Sequence, residues 1–331
     1  MIINKRNNSQ IITIELFERF FVFCLFVMTS IWLLYAYVLF ISVDVGRYEI
    51  TWNEIYKMKL SDVVFAERNT GISHSRMEPL SLAVMWFFSQ YADAMVTFFL
   101  VGLTALSVKA WILYKNVTYP LIALCSYVLL FMQLLEANQI RNALASCFIL
   151  YALTSNSTNP RYYLLALFAA LFHYTGVIIL ALVLLERFHR PILGILGVFA
   201  LAIIWDIAMT YIGLNIYLSY EASVNLFSTV FICHIGIVFF SIINWKNLNI
   251  NQRRGAYFMI LGAAFYIAFE GNPTIAHRMR ELCTLGLIPL LFMSDKKLNY
   301  PMLISYLLAA YMAFYNATSG LSRLNEVAGI F

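Results

Sequence analysis

Six polar side chains fall inside segments that otherwise read as hydrocarbon. Glu136, Asn138, Gln139, Arg141 and Asn142 lie in EANQIRNALA, and His173 follows about thirty residues later in AALFHYTG. A second polar group, EGNPTIAHRMRE from Glu270 to Glu281, separates two further apolar runs and carries His277, Arg278 and Arg280. Ionisable groups at bilayer depth cost roughly 2.5–3.5 kcal/mol each on insertion scales, so they gather around a polar cavity or a site. Permanently charged arginines next to histidine and carboxylates suit chemistry on an anionic ligand inside a membrane protein.

The elements that must hold these residues follow from composition. Of 331 residues, 62% are hydrophobic and 12% charged, against roughly 45–50% and 25% in soluble domains. The chain therefore reads as an integral membrane protein. After Lys5 and Arg6, residues 20–42 form a nearly uncharged run long enough to cross a core of about 30 Å. No small-residue cleavage site follows it, so it reads as a retained first span. The five cysteines fall in apolar runs without a CxxC pair and read as small core hydrophobes.

A net charge of +5 raises nucleic acid as a partner, but the basic residues are scattered singly instead of forming one stripe, which argues against it. Their spacing reports topology under the positive-inside rule. Lys5 and Arg6, Lys109 and Lys115, Arg161, Arg187 and Arg190, Lys246, Arg253 and Arg254, and Lys296 and Lys297 are placed in cytoplasmic connections. A periplasmic loop then spans 44–79. The expected architecture is an all-α polytopic membrane protein, one integral unit over 1–331, with roughly 10 or 11 transmembrane helices and the N-terminus inside. A short helix near 80–91 leads into spans near 94–114, 120–136, 141–154, 191–213, 225–244, 255–270, 282–294 and 300–317. Segment 161–185 has two readings: a re-entrant hairpin of two short helices meeting near His173, within 155–190, or a single tilted helix through Tyr174. The hairpin keeps the later basic loops inside, and non-helical backbone at that depth would line a cavity.

Motifs of soluble enzymes are missing: GxGxxG, a Walker loop, HExxH, GxSxG and an aspartate-rich metal box. His74, His189 and His234 each lack a second ligand at metal spacing, so no metal or other cofactor is expected.

ANQIRNALASCFILYAL, NPRYYLLALFAALFHYTGVIILAL and IAHRMRELCTLGLIPLL resemble the EpsG and Wzy-type polysaccharide polymerase family of bacterial inner membranes. DVGRYEITW from Asp44 and MEPLSLAVMWFF from Met77 extend the likeness, which runs from about 44 to 290. Asn142 and Gly176 depart from the family pattern. The resemblance implies a GT-C-like, metal-independent glycosyltransferase. It would act on undecaprenyl-diphosphate-linked oligosaccharides, as donor and as acceptor, at the periplasmic face, alongside a flippase and a chain-length regulator. Arg141, Arg278 and Arg280 would stabilise the diphosphate leaving group. His173 would act on the acceptor hydroxyl, followed by His277 and Glu136. Asn138, Gln139, Asp44 and Tyr48 complete the substrate-binding set.

Plainer readings stand beside these. Arg141 would anchor a helix end by snorkelling, His173 would be hydrogen-bonded between packed helices, and Asp44 and Tyr48 would cap the loop. Arg278 and Arg280 lie two apart and face differently on a helix, so one of them reads as structural. A transporter or flippase for a lipid-linked glycan, or a membrane acyltransferase, would use the same cations. No inverted repeat favours transport.

Overall fold

Six of the seven prolines stand at the first or second position of a helix, where a missing N–H costs nothing and φ is already set. In the computed structural model residues 20, 23–24, 27–31, 52–65, 78–132, 135–136, 139–155, 159–188, 191–212, 223–293 and 300–328 are described. Asp44, Tyr48, Asn138, most of the expected first span and of the 44–79 loop, and Lys296 and Lys297 lie outside them. The described residues are helical, with no strand.

The helices are α1 Leu60–Phe65, α2 Pro79–Ser89, α3 Ala94–Asn116 and α4 Pro120–Tyr127, the last extended by a π-helical turn Val128–Met132. Then come α5 Ile140–Thr154, α6 Asn159–Phe172, a 3-10 turn Tyr174–Ile179, α7 Leu180–Phe188 and α8 Pro191–Ile212. Last are α9 Thr229–Ile243, α10 Ile250–Ala268, α11 Pro273–Thr284, α12 Leu287–Phe292 and α13 Tyr300–Ala328. Side-chain caps fix several starts: Asp93 accepts from Val96 N–H, Ser228 from Phe231 N–H, and Asn249 and Gln252 form a reciprocal capping box.

α3 is long and apolar enough to cross a membrane alone; other apolar helices, such as Pro79–Ser89 and Thr229–Ile243, are shorter. The polar stretch expected between two spans is itself helix α11, so the run expected at 282–294 is the lower part of a broken helical pair, α11 and α12.

Contacts define two ends of the bundle. At one, Asn116 Nδ2 donates to Thr154 Oγ1 (3.4 Å), Thr118 N–H to the Phe292 carbonyl (3.1 Å), Arg254 Nη1 to the Ser155 carbonyl (2.8 Å) and Asn249 Nδ2 to the Met293 carbonyl (2.7 Å). At the other, Ser81 Oγ donates to the Phe172 carbonyl (2.6 Å), and Gln139 Nε2 to Glu281 (2.9 Å).

Between α6 and α8 the chain leaves the first end and returns to it. A Cβ on Gly176 would fall 2.4 Å from Ala169 Cβ and 2.5 Å from its carbonyl carbon. An unbroken helix would hold these residues about 10 Å apart. The chain therefore reverses at His173, and α8 starts beside the first turns of α10, where Gly194 lies against Tyr257.

Two basic residues placed in connections are corrected. Lys109 lies within α3, fully buried, where it pairs with Glu136 and Tyr127. Arg254 lies in the second turn of α10, 5% exposed, and it ties that helix to the end of α5. Both were invisible as helix-interior cations because a charge near the end of an apolar run looks the same whether it faces water or a buried partner.

The reversal rests on close approach, so Gly176→Ala should destabilise the protein by about 1–3 kcal/mol through overpacking. Gly197→Ala, with nothing within 4 Å of the added carbon, should be neutral or stabilising by up to about 1 kcal/mol. Thermal unfolding of the two purified variants side by side measures the difference.

Candidate functional site

Glu78 is the residue on which three elements converge. It stands at the N-cap of α2, and its carboxylate accepts from Arg141 Nη1 on α5 (2.7 Å). Its other oxygen accepts from the Tyr174 backbone N–H (3.2 Å) and lies 4.0 Å from His173 Nδ1. Arg141 occupies the first turn of α5, whose N-cap residue Gln139 makes no side-chain cap. The open N–H groups and dipole of that turn add to the guanidinium, so this corner favours an anion.

A directional hydrogen-bond chain runs from α11 to His173. A carboxylate only accepts, so Glu281 takes a hydrogen bond from Gln139 Nε2. That orientation turns Gln139 Oε1 towards Asn142, whose Nδ2 donates to it. Asn142 Oδ1 then accepts from the Thr175 hydroxyl (3.1 Å), which leaves Thr175 Oγ1 as acceptor for His173 Nδ1, 2.8 Å away. The Thr175 N–H also approaches Nδ1, at a longer 3.3 Å. The shorter contact sets the proton on Nδ1, so Nε2 carries the free lone pair. Nε2 has no partner among the described residues. His173 is 1% exposed, and its ring packs on Tyr174 with centroids 4.5 Å apart.

The two α11 arginines separate. Arg278 lies on the His173 side of α11: its charge and that of Arg141 both act on His173, whereas that of Arg280 does not. No carboxylate pairs with Arg278 among the described residues. Arg280 lies over the Tyr266 ring at 4.6 Å, and the Tyr266 hydroxyl in turn accepts from the Asn225 N–H. His277 is on that same side, edge-on to Tyr266 at 5.1 Å and 3.4 Å from the Ser223 carbonyl. Partial burial and the nearby Arg280 hold its imidazole below the usual value.

The structure thus brings Arg141, His173, Gln139 and Arg278 into one cluster, and sets Arg280 and His277 in a second. Glu136 joins neither. It is fully buried, accepts from Lys109 and from the Tyr127 hydroxyl (2.6 Å), and closes an internal ion pair. Glu78, Asn142, Thr175 and Glu281 belong to the first cluster although sequence reasoning gave them no role there. Glu78 was visible as the Glu-Pro start of a helix, and Thr175 by its two-residue spacing from His173, which suits local side-chain bonding. Among the described residues no three His, Cys, Asp or Glu are placed to hold a metal.

The family model for EpsG matches residues 21–325, beyond both limits of the likeness read from the motifs. No curated protein and no solved structure matched the chain.

Removing one partner of the Lys109–Glu136 pair strands a buried charge. Glu136→Ala should therefore cost about 3–5 kcal/mol, while the double variant Lys109→Met/Glu136→Leu should recover most of the loss. Thermal unfolding checks both, and a fully stable Glu136→Ala would remove the internal pair as the role of this carboxylate.

Proposed function

The chain belongs to the EpsG family, and from that premise we propose that it polymerises undecaprenyl-diphosphate-linked repeat units into O-antigen or exopolysaccharide. A polysaccharide polymerase-type role and membrane association go with the family. The finer reading puts the reaction at the periplasmic face of the bacterial inner membrane, in a multi-pass protein of roughly 10 or 11 spans. Supporting it, Lys115, Arg161, Lys246 and Arg253 all sit at the end of the bundle away from His173, as the positive-inside rule expects of a cytoplasmic side. The reversal at His173 is then a re-entrant hairpin.

The observation that carries the mechanism is the placing of two cations around an imidazole whose Nε2 is kept unprotonated. An acceptor sugar hydroxyl attacks the anomeric carbon of the donor glycan, and the bond from that carbon to the diphosphate oxygen breaks. The hydroxyl proton passes to His173 Nε2. The departing diphosphate gains negative charge, which Arg141, Arg278 and the open first turn of α5 stabilise more strongly in the transition state than in the ground state. Glu78 holds Arg141 against the hairpin. Neither a metal nor another cofactor enters this reading.

Loss of the gene should leave a single capped repeat unit on the surface glycan; complete absence of glycan would instead favour the flippase reading. Arg141→Ala should abolish polymer at normal protein level, and Arg141→Lys should stay strongly impaired because an ammonium lacks the planar fork. Full chain length from Arg141→Lys would overturn bidentate recognition.

The hydrogen-bond chain makes a separate demand. General-base assistance contributes about 100- to 10,000-fold, so His173→Gln should lose turnover within that range. Thr175→Val should lower kcat with KM little changed, measured on purified protein with lipid-linked repeat units. Arg278→Ala should impair turnover more than Arg280→Ala. Equal turnover in the two arginine variants would contradict the separation of their faces.

A further inference from the structure

An uncharged groove of about 570 Å³ lies against the polar cluster, between α2, α3, α5 and α6. Its volume falls within the roughly 300–1,000 Å³ of small-molecule sites. Three elements each give a polar group to the cluster and an apolar wall to the groove. On α2, Glu78 is followed by Val84 and Phe88; on the hairpin, His173 is preceded by Phe172 and Leu165. On α5, Arg141 is followed by Leu144, Phe148 and Tyr151, and this spacing of three, four and three residues forms one stripe along the helix. One helix face therefore reads cation at its start and hydrocarbon below. On the α3 side Val108 is 42% and Trp111 59% exposed, so the groove opens sideways, towards the bilayer of the proposed arrangement.

A mouth that offers the guanidiniums of Arg278 and of Arg141, the latter held from one side by Glu78, above an uncharged, sideways-open groove fits an amphiphile with an anionic head, because the head meets cations and the tail meets hydrocarbon. We propose that the groove seats the first isoprenoid units of a polyprenyl carrier whose phosphate groups lie on Arg141 and Arg278. This rests on the polymerase reading and locates the lipid tail within it.

The test uses the full chain in phosphatidylglycerol-containing nanodiscs and a diazirine-tagged polyprenyl phosphate bearing no sugar. Crosslinks should map to peptides covering 101–112 and 144–151. Undecaprenyl phosphate should compete about tenfold better than the same concentration of added phosphatidylglycerol. Thr104→Trp and Leu165→Trp, which fill the groove from two sides, should lose most of the labelling. Equal competition by phosphatidylglycerol would make the groove a site for bulk lipid and overturn the proposal. So would wild-type labelling in both tryptophan variants, or label confined to other peptides. Mapping on the unsubstituted protein needs no variant to fold. Labelling needs neither glycan nor turnover, so groove label in a protein that makes no polymer would sink the polymerase reading alone. Polymer at the wild-type rate without groove label would sink the groove alone.

Discussion

Buried polar groups must find their partners inside the protein, and that constraint organises this chain. Where hydrocarbon surrounds a helix there is no water to take up an unmatched charge or lone pair, so a buried ionisable group gains by recruiting another across the fold. Lys109, Tyr127 and Glu136 answer it by closing on one another. Glu78, Arg141 and the Tyr174 N–H answer it less completely, since the ion pair is 17% and 13% exposed at its two side chains. The first arrangement is wholly buried, with one oxygen of Glu136 left unbonded among the described residues; the second is partly exposed, as a site must be.

The open arrangement depends on the chain reversal. A straight helix through 161–185 would carry His173 past the start of α5. Gly176 instead lets the 3-10 turn lie on Ala169, and this puts the Tyr174 N–H and Thr175 hydroxyl where Glu78 and Asn142 can reach them. His173 stands at the start of the 3-10 turn, and its ring is tied to the Thr175 hydroxyl within that turn. Its structural and chemical readings therefore do not compete. The hydrogen bonds that make it a packed histidine are those that fix which nitrogen is free.

Much of this was legible in the sequence and some was not, for physical reasons. Apolar runs and prolines gave most helices to within a few residues, because a missing N–H restricts where proline can stand. Arg141 and His173 stood out because ionisable groups are rare in such runs. Depth was harder to read. Lys109 was assigned to a connection because its position in α3 betrays nothing of Tyr127 and Glu136, which are 18 and 27 residues away. Glu136 was grouped with Arg141 through sequence proximity, yet the break before α5 turns the two in different directions. Arg278 and Arg280 could not be ranked, because helical spacing says that they face apart but not which face meets α5. The placing of Arg280 over the Tyr266 ring, with the charge of Arg278 reaching His173, settles that.

The hydrogen-bond chain also explains why a substituted residue need not touch the reacting atoms to matter. Glu281, Gln139, Asn142 and Thr175 transmit only an orientation: each amide or hydroxyl has its donor direction fixed by the one before, starting from a group that cannot donate. Such a chain fails at any link, since one reversed amide would turn the proton on His173 to the other nitrogen. It also couples α11, which carries Arg278, to the hairpin that carries His173. A shift of α11 away from α5 would withdraw the anion-stabilising charge and release the imidazole tautomer together. In the proposed reaction, leaving-group stabilisation and proton acceptance would thus be bound to one contact between helices.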